Sequence, residues 1–205
     1  GDGATFDIGM GPLSAVAERN ENILYVCYDN EAYMNTGVQR SSATPFGSWT
    51  TTTPEGQLKE EPKKNIDFIL ASHKIPYIAT CSPAFLDDLR SKTIKAKETA
   101  GFRFLHIFSP CPPGWKSDPK DSIAISRLAV ESNVFPLYEI EDGSRYRVTH
   151  KSQRLPVSEY LKLQGRFRYL SPKDTEMIQA EADRFYDLLL DLQGADKQSR
   201  IELEE

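Results

Sequence analysis

Only three of the 205 residues are cysteine, Cys27, Cys81 and Cys111. An odd number at such wide spacing excludes a secreted disulfide framework and offers no CxxC pair for zinc. A reducing compartment, the cytoplasm, is therefore the expected location. Long hydrophobic runs are missing as well. The longest, such as "ILYVCY" and "FLHIF", have the length of strands and fall far short of the roughly 20 residues that span a bilayer. The polar N-terminus and internal position of Met10 give no expectation of a signal peptide. Positive charge is the minority sign: 25 Lys and Arg stand against 30 Asp and Glu, for a net charge of −5. That balance argues against non-specific nucleic-acid binding, which needs a basic face. Internal repeats and low-complexity tracts are also lacking.

What is present fits a globular domain with its own core: 39% hydrophobic and 27% charged residues. Residues 1–134 alternate in the manner of an α/β fold, with a parallel sheet covered by helices on both faces. A helix is predicted over 8–19, with Leu13, Val16 and Ala17 on one side. The nearly unbroken apolar run Ile23 to Asp29 reads as a parallel strand. A long loop from Glu31 to about Pro62 follows, and a loop of that length in a compact domain is usually functional. Then come a helix at 65–73, the strand "YIATC", and a helix over 83–100 with Pro83 in its first turn and Gly101 as its stop. The strand "FRFLHIFS" and a helix over 118–133 complete the alternation. Residues 135–205 form an extension. It holds a β-hairpin turning at Asp142-Gly143 and an amphipathic helix over 172–192. That helix is expected to bury Met177, Ile178, Ala182, Phe185, Leu188 and Leu189, and the final "KQSRIELEE" to be solvated.

Two polar loops carry candidate chemistry. In an open parallel sheet, ligands bind beyond the carboxyl ends of the strands. The opening Gly1-Asp2-Gly3 and the Asn30 that follows the strand at 23–29 are separated by one helix. If a strand leads into Gly1, the Asp2 carboxylate and the Asn30 side-chain carbonyl are expected within reach of one ion. Hard oxygen donors suit Mg2+ or Ca2+ with phosphate oxygens as further ligands. Gly1 and Gly3 permit a tight turn, and the helix after them offers its positive end to a phosphate. Taken singly, a Gly-Asp-Gly and an Asp-Asn after a strand are ordinary turn chemistry.

A GDG followed one crossover later by an Asn resembles the thiamine-diphosphate motif. The longer text, "DNEAYMNTGVQRSSATPFG" with "PYIAT" and "HIFSPCPPGW", is similar to the β subunit of 2-oxoacid:ferredoxin oxidoreductases of the pyruvate synthase type. The resemblance runs from Gly1 to about Trp115 and weakens over the last third. It implies that Asp2 and Asn30 hold Mg2+ by their side chains and Ala32 by its carbonyl, while Gly1 and Gly3 line the diphosphate. Asn35 and Thr36 would lie near the thiazolium and substrate, with Asn35 donating to a developing oxyanion, and Gly37 would keep that wall free of a side chain. Cys111 would be the last ligand of a 4Fe-4S cluster. Four thiolates are needed, so the others are expected outside this chain, in a segment ahead of the GDG.

The implied activity is thiamine-diphosphate-dependent oxidative decarboxylation of a 2-oxoacid, most simply pyruvate, to acyl-coenzyme A and CO2. Electrons would pass through the cluster to ferredoxin. The expected partners are α and γ/δ subunits, since the resemblance implies that the glutamate facing the aminopyrimidine belongs to another subunit or domain. The abrupt start on the GDG leads us to expect a fragment. Two alternatives stay open: a non-redox thiamine-diphosphate decarboxylase or synthase subunit, and a non-catalytic scaffold of the same fold. Cys27 is expected in the core, His106 to be a satisfied core histidine, and His73 and His150 to be peripheral. Arg40 could counter a carboxylate or the diphosphate or simply be solvated. Trp49 and Trp115 are expected to pack the loops down, with the bulk of Trp49 bearing on a pocket.

Overall fold

In the computed structural model the backbone is described for residues 1–204 and side chains for residues 1–195, so the terminal "KQSRIELEE" lies outside the described side chains. The first helical region departs from expectation. A π-helical turn, Gly3–Ile8, starts directly after Asp2, and α1 follows at Met10–Glu18. The break comes where Gly9 N donates to Ala4 O five residues back (2.7 Å), a ring wider than the α-helical one.

The strands are β1 (Leu24–Asp29), β2 (Tyr77–Cys81), β3 (Arg103–Phe108), β4 (Tyr138–Glu141) and β5 (Arg145–Val148). They form one sheet in the order β1-β3-β2-β4-β5. The first three are parallel, and the hairpin β4-β5 joins antiparallel to β2. Asp29 stands opposite Phe108, and Ser109 N donates to Asp29 O (2.9 Å). The carboxyl ends of β1 and β3 therefore lie side by side, and the segments leaving them, at Asn30 and at Pro110–Trp115, start from one edge. All five residues of β2 are buried, as a continuous apolar strand in mid-sheet requires.

Helices cover both faces. The helix α2 (Ile66–Ala71) is capped by the Asn65 side chain, which accepts from Phe68 N. With α1 it packs Leu13, Ala17, Ile66 and Leu70 against Cys27, Ile78 and Phe104. On the other side α3 (Leu86–Glu98) brings Ala96 to Tyr77, Ala79 and Leu105. Its start is at Leu86 rather than Pro83, because Ser82 to Phe85 close a separate turn, with Phe85 N donating to Ser82 O. A single turn, α4 (Pro112–Trp115), precedes α5 (Ser122–Glu131). The expected start of α5 at Asp118 proves to be a 3-10 turn, where the Asp118 side chain accepts from Lys120 N.

The chain ends with α6 (Val157–Leu161) and α7 (Pro172–Glu204), longer than the helix expected to stop at 192. The apolar side of α7 is also rotated from expectation. Met177 and Leu188 are 50% and 43% exposed, while Tyr186 is buried with Ala182 and Leu189. Residues 182, 185, 186 and 189 form an i, i+3, i+4, i+7 stripe, and α7 packs on the hairpin strand β5. None of the described helices is long and apolar enough to cross a membrane.

Candidate functional site

Asp2 is fully buried where the chain enters its π-helical turn. Its Oδ2 accepts from Ser41 Oγ (2.6 Å) and its Oδ1 from Asn30 N (3.3 Å). Burial, then the negative charge of Asp29, raise its pKa to about 6. The Tyr33 ring lies over Gly3, where an added Cβ would stand 2.3 Å from a ring carbon. The Tyr33 hydroxyl donates to Gly3 O (3.0 Å) and to Asp7 Oδ2 (3.2 Å).

Asn30 points its amide at Asp2 and at the Ala32 carbonyl. The amide atom facing them is 2.9 Å from Asp2 Oδ1 and 2.8 Å from Ala32 O. With the amide nitrogen there, the three groups are joined by two hydrogen bonds. With the amide oxygen turned there instead, it would face two acceptors, an arrangement that a bound cation would stabilise. That donor set (one carboxylate, one amide and one backbone carbonyl) is what a hard divalent cation takes. It contains a single acid, and among the described residues no group of three or more His, Cys, Asp or Glu could hold a metal.

The turn between Asn30 and Ala32 requires an unusual backbone. Glu31 has φ +65°, in the left-handed region that non-glycine residues seldom occupy. Three of its backbone groups are tied by side chains. Trp115 Nε1 donates to Asn30 O (2.8 Å), Glu31 N to Asp29 Oδ1 (3.0 Å), and Thr44 Oγ1 to Glu31 O (2.6 Å).

Beneath it runs a buried ionic layer. Lys63 Nζ bridges Asp29 and Glu31, and Arg166 Nη2 donates to Glu31 Oε2 (2.6 Å). His106 sits between Asp29 and Asp67, with Nε2 2.8 Å from Asp29 Oδ2 and Nδ1 3.0 Å from Asp67 Oδ2. Burial would lower its pKa, but Asp67 and Asp29 lift it to about 9, so the ring is an imidazolium donating to both acids. Burial would likewise raise Asp29, yet Lys63 and His106 hold it below the usual carboxylate range. His106 is thus a satisfied core histidine, as its place in an apolar strand suggested.

Asn35, Thr36 and Gly37 form the exposed tip of the same loop, a turn closed by Gly37 N donating to Met34 O (3.2 Å). Thr36 Oγ1 donates to Gln39 Oε1, whose Nε2 returns to Thr36 O, both at 2.7 Å. Met34 reaches down to Gly114, where an added Cβ would stand 2.2 Å from its sulfur. Cys111, half-buried at the cap of α4, packs in the same apolar cluster as Met34, Phe108 and Trp115. Cys27 and Cys81 are fully buried, and burial pushes both thiols up to about 12. Arg40 makes an exposed pair with Glu61 (3.0 Å). Lys116 Nζ lies over the Trp49 ring (3.1 Å), and the Arg166 guanidinium over Trp115 (3.8 Å).

The structure therefore unites Asp2, Asn30 and Ala32. It puts Asn35, Thr36 and Gly37 at the tip of the same loop, and Cys111 at the head of the short helix whose Gly114 faces Met34 of that loop. Sequence reasoning missed Ser41, Glu31, Lys63 and Arg166. The nearest signal was an acid on either side of Asn30, which in a buried turn demands cations.

Comparison with known proteins bears on the same region. The family model described as "Thiamine pyrophosphate enzyme, C-terminal TPP binding domain" matches residues 1–107. The pyruvate synthase subunit PorB of Methanothermobacter thermautotrophicus is 50% identical over 187 residues, 89% of this chain and 65% of that protein. The ketoisovalerate oxidoreductase subunit VorB of Pyrococcus abyssi is 47% identical over 87% of this chain and 59% of its own length. Among solved structures, the 2-oxoglutarate:ferredoxin oxidoreductase from Magnetococcus marinus, with 2-oxoglutarate, coenzyme A and succinyl-CoA bound, aligns with a TM-score of 0.51. It is 31% identical, over 54% of this chain and 38% of that one. The chain spans less than two thirds of the length of these relatives. With more than half of its residues matched and the two loops of the motif brought together, the chain belongs to the thiamine pyrophosphate enzymes, whose C-terminal TPP-binding domain it carries.

Proposed function

We propose that this chain is the thiamine-diphosphate-binding part of the β subunit of a 2-oxoacid:ferredoxin oxidoreductase of the pyruvate synthase type. It acts in the cytoplasm with α and γ/δ partner subunits. The reaction is oxidative decarboxylation of a 2-oxoacid, pyruvate in the first instance, to acyl-coenzyme A and CO2, with electrons leaving through a 4Fe-4S cluster to ferredoxin. The Asn30 amide, 2.9 Å from Asp2 Oδ1 and 2.8 Å from Ala32 O, carries the cation-site part of this reading. Sequence identity near one half to subunits named for pyruvate synthase and ketoisovalerate oxidoreductase supports it.

Thiamine diphosphate, when bound, supplies the electron sink for decarboxylation. The chain's own residues bind and orient. Asp2, Asn30 and Ala32 would hold Mg2+, and Gly1 would let the diphosphate lie against the backbone, while the open side of Gly3 is filled by the Tyr33 ring. Asn35 donates to the substrate oxygen as it gains charge, Thr36 stands beside it, and Gly37 leaves that wall open. Cys111 contributes one thiolate to the cluster, the others coming from outside this chain.

A complex assembled with the full-length subunit is expected to reduce a viologen dye only when given a 2-oxoacid and coenzyme A. Asp2→Ala should weaken cofactor binding, measured calorimetrically, by more than the roughly 10- to 100-fold that losing a partner one bond further from a metal costs. Equal heats for both proteins would leave a scaffold, and CO2 release without dye reduction would leave a non-redox decarboxylase.

A further inference from the structure

Arg166 lies in the segment after α6, beyond the residues 1–107 that match the family model. It is nevertheless among the most deeply buried side chains of the molecule. Its guanidinium is held from several sides. Nη2 donates to Gln164 Oε1 (2.8 Å) and Tyr160 Oη (3.2 Å), Nε donates to Gln164 Oε1 (3.0 Å), and the plane stacks on Trp115. The same Nη2 meets Glu31 Oε2 (2.6 Å), so Gln164, Tyr160 and Glu31 gather round one end of the fork and hold it in a single orientation.

Glu31 is the residue whose left-handed backbone brings Asn30 and Ala32 to face Asp2. An L-residue holds that conformation only where its surroundings over-determine it. Lys63 secures one carboxylate oxygen and Arg166 the other. The Trp115 on which Arg166 stacks ties the Asn30 carbonyl. We propose that Arg166 is a positioning residue for the cation site: from the C-terminal segment it locks Glu31 in the turn that aims the Asn30 amide and the Ala32 carbonyl at Asp2. The inference rests on the cation-site reading given above and assigns the C-terminal segment a part in it.

The test measures Mn2+ binding by electron paramagnetic resonance in the assembled, thiamine-diphosphate-saturated complex, so that turnover is not the readout. Arg166→Met is expected to weaken Mn2+ binding about tenfold or more. Glycine adopts the left-handed backbone without help, so Glu31→Gly removes the need for the clamp. The double variant Glu31→Gly/Arg166→Met should then bind Mn2+ as Glu31→Gly does, well above Arg166→Met alone. Should Arg166→Met not assemble, Arg166→Lys replaces it; it keeps the charge but loses the planar fork, and is expected to bind Mn2+ measurably more weakly. Mn2+ affinity unchanged in Arg166→Met, or in Arg166→Lys where that stands in, overturns the proposal. So does a double variant as weak as Arg166→Met. If the unmodified complex binds no Mn2+, or binds it equally after Asp2→Ala, the cation site itself is wrong, an outcome distinct from either.

Discussion

Two ionic clusters lie at opposite ends of the sheet, and they are built on different principles. At the hairpin end, Glu139 meets Tyr77, Lys95 and Arg147. The contacts with Arg147 and Tyr77 follow from strand pairing, since Glu139 stands directly opposite Arg147 in the β4-β5 ladder and opposite Ala79, two residues from Tyr77, on β2, while Lys95 reaches over from α3. At the other end, Asp29 and Glu31, Lys63, His106 and Arg166 come from four separate stretches, and Glu31 and Arg166 are 135 residues apart. The hairpin cluster opens to water, with the Arg147 side chain 62% exposed, whereas that of Arg166 is 2% exposed. Water screens the first and leaves it a register device. Burial makes the second depend on complete pairing, so it fixes one geometry of the loop above it.

The comparison breaks most sharply at Lys63. Lys63→Met leaves Asp29 and Glu31 each short of a partner in a buried layer, and should lower unfolding stability by about 3–5 kcal/mol in urea titrations. The effect of pH is expected to be somewhat smaller. The His106 pKa is raised from 6.5 to about 9 by Asp67 and Asp29. Its stabilisation is therefore complete below pH 6.5 and is lost as pH rises through about 9, a change on the order of a few kcal/mol. A His106→Gln variant should show a flatter stability profile between pH 7 and 10, and an equally steep profile would assign the alkaline loss to other groups. The smallest effect belongs to the hairpin. Arg147→Ala should cost at most about 1 kcal/mol, since Glu139 keeps Tyr77 and Lys95. A loss as large as that from Lys63→Met would erase the distinction.

Chemistry that is local in sequence was legible. Asp142-Gly143 announced its hairpin because both residues take positive φ, which Asp and Gly tolerate. Asp2 and Asn30 announced a shared point because parallel strands bring successive loops to one edge. Arg166 was not legible, since an Arg in "QGRFRY" reads as one of several solvated basic residues until its partner 135 positions earlier is known. The apolar side of α7 was misjudged for a related reason. Tyr186 counts as half polar on its own, but Ser152 N donates to its hydroxyl (3.1 Å), so the ring can be buried. The π-helical turn was hidden too, because no residue type in "GATFDIG" distinguishes a wide turn from an α-helical one.

The thioether of Met34 occupies the space that a side chain on Gly114 would need. The turn carrying Asn35 and the turn headed by Cys111 are thereby mortised together, one the tenon and the other the slot. A shift that opens the first must drag the second. The positions of the two turns should therefore change in concert, and engineering either alone calls for re-cutting the joint at Met34 first.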